Sequence, residues 1–128
     1  MPKTVDTKKA TGYLTKAENS LHMAKVAIRE KAYDNAVMSA VHSAINALDA
    51  LTVSYLGKRA SGAHTDVLSL IKGILDTTGY NDVKKQFTSL LSMKNESEYQ
   101  PDLMSSGDAN NAVRWAERIV TRVKAKLK

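Results

Sequence analysis

The segment DNAVMSAVHSAINALDALTVSYL, residues 34–56, decides the fold. At about 100° per residue, its side chains sort into stripes that only a helix produces. Val37, Val41, Ala44, Leu48, Leu51 and Tyr55 form a stripe of large residues. Ala36, Ala40, Ser43, Ala47, Ala50 and Ser54 form an adjacent stripe of small ones. Met38, Ile45, Thr52 and Leu56 widen the apolar arc. Only a narrow strip of Asn35, Ser39, His42, Asn46 and Asp49 stays polar. A helix this apolar around its circumference belongs at the centre of a bundle. The small stripe lets another helix approach closely.

Working outward, Ala10, Leu14, Ala17, Leu21, Ala24 and Ile28 recur at helical spacing and predict a first helix over about Thr7–Arg29. The short link Glu30–Ala32 folds the next helix back antiparallel. Gly57 terminates the central helix, because glycine tolerates the left-handed position after a helix end. Val67, Leu68, Leu70, Ile71, Ile74 and Leu75 mark a third helix, with Thr65 or Asp66 near its start and Gly79 past its end. A fourth is expected over about Asp82–Lys94, followed by a loop to Ser106 that contains Pro101. A fifth begins near Ser106 or Asp108 and approaches the C-terminus. The fold class is therefore all-α: an up-and-down bundle of about five helices in one domain, 1–128, with residues 1–6 expected to be disordered.

The chain has 128 residues, 43% of them hydrophobic, and no cysteine. This rules out disulfides and thiolate metal sites. No apolar run reaches the roughly 18 residues of a spanning helix, and no signal peptide is recognisable. A cytoplasmic location without membrane attachment is the expectation. The net charge of +6 favours an anionic partner such as nucleic acid. Much of the excess lies near the ends, at Lys3, Lys8, Lys9, Lys124, Lys126 and Lys128, where it also suits a solvated fringe. Arg114, Arg118, Arg122 and Lys126 repeat every four residues along the last helix, as a nucleic-acid surface or simply a solvated face. His22, His42 and His64 form no paired metal-ligand spacing, and there is no Walker or dinucleotide loop. Neither metal nor cofactor is expected.

The segment with chemistry is Gly57-Lys58-Arg59-Ala60-Ser61-Gly62-Ala63-His64. It sets a permanent cation beside a group that exchanges protons near neutral pH. That pair suits a phosphate-bearing substrate. His42, Asn46 and Asp49, on the polar strip of the preceding helix, are candidates to position a substrate or the Arg59 guanidinium.

The string Tyr33–Leu51, followed by Gly57-Lys58-Arg59 and then His64, resembles the HEPN superfamily of small helical domains from prokaryotic toxins and defence systems. Glu98-Tyr99-Gln100-Pro101 and the helix from Ser106 to Val120 resemble that family's last loop and helix. The resemblance runs from about Thr11 to Leu127. It implies a homodimer in which Arg59 and His64 of both subunits face a shared cleft. In active members such a cleft is a metal-independent endoribonuclease, as in toxin–antitoxin pairs. His64 would then be the general acid/base and Arg59 the phosphate-stabilising group. The alternative is a non-catalytic HEPN module that binds a nucleotide or partners a small nucleotidyltransferase. Ala60 stands where active members often carry a polar residue. Asp66 stands where some toxin members carry a tyrosine that a partner modifies.

Overall fold

Tyr33–Leu56 is one continuous helix at the centre of the molecule, touching every other long helix. The structure, a computed structural model, describes residues 2–127. In chain order these form β1 (Lys3–Thr4), a short 3-10 turn (Thr7–Lys9), α1 (Ala10–Arg29), α2 (Tyr33–Leu56), β2 (Lys58–Arg59), α3 (Asp66–Ile71), α4 (Thr77–Tyr99) and α5 (Ser106–Leu127). The expected five-helix bundle is present.

The core is α2's apolar circumference packed against its neighbours. Val37, Val41, Leu48 and Leu51 are fully buried, together with Phe87 and Leu90 of α4 and Ile119 of α5. By length and mean hydropathy α2 alone, among the described residues, qualifies as a membrane-crossing helix. Its apolar faces instead meet other helices. The small stripe has a definite role. Ala36, Ala40, Ala47 and Ala50 are buried, as are Ala17 and Ala24 of α1. Ser43 Oγ donates to the Ala17 carbonyl at 2.7 Å, which requires the close approach that small residues permit. The stripe is therefore occupied within the chain by α1.

Connections are set by local chemistry. After α1, Lys31 adopts φ 60, while the amides of Lys31 and Ala32 donate to the carbonyls of Ile28 and Ala27. This closes the helix and reverses the chain. After α2, Gly57 adopts φ 63 and its amide donates to Val53. The two left-handed residues give predictions of opposite sign. Gly57→Ala should cost about 1 kcal/mol, because an added Cβ disfavours this backbone. Lys31→Gly should stabilise by a similar, smaller amount, about 0.5 kcal/mol. Urea denaturation of both variants measures this, and equal signs would contradict it.

Three expectations need correction. Residues 2–6 are ordered: Lys3 and Thr4 pair antiparallel with Arg59 and Lys58, and the Val5 amide donates to the Gly57 carbonyl at 2.8 Å. A two-residue polar ladder has no hydrophobic period to announce it. Met1, the first residue of that expectation, lies outside the described residues. Next, α3 ends at Ile71, and Gly79 lies inside α4 rather than beyond α3. Asp76 starts α4 a turn and a half early by accepting the Gly79 amide at 2.6 Å, an N-cap bond. Finally, α4 continues to Tyr99, so the loop begins at Gln100. Asp34 holds this end in place, its Oδ1 accepting from Ser97 Oγ and the Met104 amide. Ser105 and Asp108 then cap α5 reciprocally.

Candidate functional site

Arg59 and His64 line one cavity of about 190 Å³ at the C-terminal end of α2. Segments from β1 through α4 build it. The left-handed turn at Gly57 breaks α2 and sends the chain back as β2, which carries Arg59. The loop from Ala60 to Ala63 crosses above α2 and delivers His64 just before α3. Val67 of α3 and Phe87 of α4 supply apolar wall. Arg59 is half-buried and His64 is exposed, so the imidazole stands at the mouth.

Asp49 forms the interior of the same cavity and is only 6% exposed. Burial raises its carboxyl from 3.8 to about 6, and the positive charge of Arg59 pulls it partly back. Desolvation dominates, so the site holds a carboxylate at a cost to stability. Such tension is characteristic of functional clefts. It has a testable sign. The unfolded chain ionises Asp49 at lower pH than the folded chain does. Its penalty is therefore absent below pH 3.8, grows as pH rises, and is complete above about 6. The full rise sets an upper bound of about 3 kcal/mol. Asp49→Asn should be more stable than the parent at pH 7.5, with the advantage vanishing near pH 4. Chemical denaturation at the two pH values checks this. An advantage that instead grows toward acid contradicts the assignment.

The polar strip of α2 does not act as one unit. Asp49 reaches the cavity. Asn46 turns back along the helix, its Nδ2 donating to the His42 carbonyl at 2.9 Å. His42 is exposed and lines a separate groove with Met23 and Val26 of α1. His42 and Asp49 share an angle on the helix, but seven residues place them about 10 Å apart along its axis. Periodicity reports angle and leaves height to be judged against neighbouring elements. His42 and Asn46 are thus not part of this cavity within one subunit.

Three of the four residues in the basic stripe of α5 are engaged locally. Arg122 pairs with Asp82 at 3.0 Å, Arg114 donates to Asn111 Oδ1, and the Lys126 ammonium lies 5.8 Å from the Tyr55 ring centre. None of the four stripe residues lines the cavity. Among the described residues no cluster of His, Cys, Asp or Glu has the makings of a metal site.

One charged cavity residue was missing from the sequence-based site. Lys3 lines it beside Arg59. The charge of the N-terminal segment was visible, but its place beside Arg59 was not.

A helical bundle of this form, with Arg and His after its central helix, can be compared with known proteins. The family model described as HEPN domain matches residues 10–126. This chain belongs to the HEPN family. Two solved structures share the HEPN fold seen here. TT1696 from Thermus thermophilus superposes with a TM-score of 0.77 at 20% identity, covering 93% of this chain and 98% of that one. ST0689, an archaeal HEPN homologue, gives a TM-score of 0.73 at 20% identity with the same coverage. Among curated proteins no sequence matches. Arg59 and His64 lie within the residues that the family model matches, and Lys3 precedes them.

Proposed function

We propose that this HEPN domain is a cytoplasmic homodimer that binds RNA and cleaves it as a metal-independent endoribonuclease of the toxin or defence type. The supporting observation is the convergence of Arg59, His64 and Asp49 on one cavity. An RNA phosphodiester carries its nucleophile, the ribose 2′-hydroxyl, next to the phosphorus. The chemistry therefore needs only proton transfer and charge stabilisation. His64 accepts the 2′-hydroxyl proton as that oxygen attacks phosphorus. Arg59 stabilises the charge that grows on the phosphoryl oxygens. Asp49 holds the guanidinium in place through its charge. The bond to the 5′-oxygen breaks, and that oxygen takes a proton, for which the second copy of His64 across the dimer cleft is the donor. The products are a 2′,3′-cyclic phosphate and a free 5′-hydroxyl.

Two measurements test this: the mass of the protein in solution, and the ends of RNA incubated with it. A dimer that leaves cyclic-phosphate ends supports the proposal. A specific observation favours a second reading, a module that binds without turnover and serves a small nucleotidyltransferase. Ala60 packs against the core and places no polar group beside Arg59. Binding of RNA or nucleotide with no cleaved ends would select that reading.

A further inference from the structure

The Arg59 strand is paired with a second cation. In the β1–β2 ladder Lys3 lies directly opposite Arg59, and Thr4 opposite Lys58. Opposed residues share a face of a ladder, while successive residues alternate. The cavity follows this rule: Lys3 and Arg59 line it, Thr4 and Lys58 do not. Like charges set opposite one another destabilise a two-stranded pair. Among the described residues that line the cavity, Asp49 is the one carboxylate facing these two cations. A phosphate group would supply further negative charge. The backbone carries the segment independently of the Lys3 side chain, through the ladder and the Val5–Gly57 hydrogen bond.

We propose that Lys3 is a phosphate-binding residue of this site, delivered by the N-terminal strand to share the RNA backbone with Arg59. The proposal rests on the phosphodiester reading of the cavity. Arg59 holds the scissile phosphate from β2. Lys3, on the outer strand, takes the same phosphate or the adjacent one. The first residues of the chain are then part of the site, not an appendage to it.

The test uses the full-length protein and single-stranded RNA methylated at every 2′-oxygen, which keeps its phosphates but cannot be cleaved. Affinity is measured against salt concentration for the parent, Lys3→Gln, Lys3→Arg, Lys58→Gln and Arg59→Ala. Lys3→Gln should weaken binding about five- to tenfold. It should also flatten the slope of log K against log salt by about 0.7, the loss of one single-strand phosphate contact. Lys3→Arg should restore both. Lys58→Gln removes the same charge from the other face of the ladder and should stay within about twofold of the parent. Thermal melting confirms that each variant is folded. Equal effects from Lys3→Gln and Lys58→Gln, whether large or small, overturn the role of Lys3, and so does failure of Lys3→Arg to restore the slope. If Arg59→Ala still weakens binding in that case, the site reading survives. No binding by the parent, or unchanged binding by Arg59→Ala, removes both.

Discussion

His64→Ala should lower RNA cleavage by about 10²–10⁴, the usual contribution of a positioned acid or base. The imidazole is exposed at the cavity mouth, so its removal leaves the core intact and the variant should melt with the parent. Arg59→Ala should lower cleavage by about 10²–10³, as loss of a charge-stabilising group does. The two variants should differ in binding. His64→Ala retains affinity for uncleavable RNA, because the imidazole moves a proton and does not hold the phosphate. Arg59→Ala loses affinity as well as rate. The double variant should be little slower than the worse single one, since groups that act as a unit are not additive. Initial rates on a labelled RNA pool measure all of this. Equal cleavage by parent and both variants would end the assignment and attribute the activity to a contaminant.

Phe87→Ala should cost about 3–5 kcal/mol of stability, the largest effect expected from a core substitution here. Phe87 is the largest fully buried side chain, at 0% exposure, and it also walls the candidate site. Its removal deletes contacts to the core and opens the cavity floor beneath Arg59. The packing can relax only partly, because α4 is tied to α5 near its start by the Asp82–Arg122 pair and to α2 near its end by Asp34. Phe87→Leu keeps most of the volume and should cost about half as much. Urea denaturation reads both. A loss below about 1 kcal/mol for the alanine variant would show that α4 does not pack as described. Below its unfolding transition, Phe87→Ala should also bind RNA more weakly than its folded fraction explains, because an apolar wall of the cavity has gone.

The helices were legible because a helix writes its burial into neighbouring residues. Val37, Val41, Leu48 and Leu51 announce a buried stripe at period 3.6, and all are buried. Gly57 announces the turn after it, since few residues accept a left-handed backbone. The HEPN resemblance carried Arg59 and His64, and the structure brings them to one cavity with Asp49. Boundaries were less legible. Asp76 caps α4 well before the apolar pattern starts, and α4 outlasts that pattern to Tyr99. In both places hydrogen bonding sets the end of a helix whose apolar period has not begun or has already stopped.

By itself the sequence determined the class of fold, the central place of residues 34–56 and the pairing of a fixed cation with an imidazole after them. These properties depend on residues close along the chain, where spacing converts directly into angle. Only the tertiary structure decided that Asp49 belongs to the cavity while His42 faces another groove, and that Lys3 lies across from Arg59. Height along a helix and partnership across a ladder depend on which distant segments meet. That meeting is settled by packing and main-chain hydrogen bonds, which leave no period in the sequence.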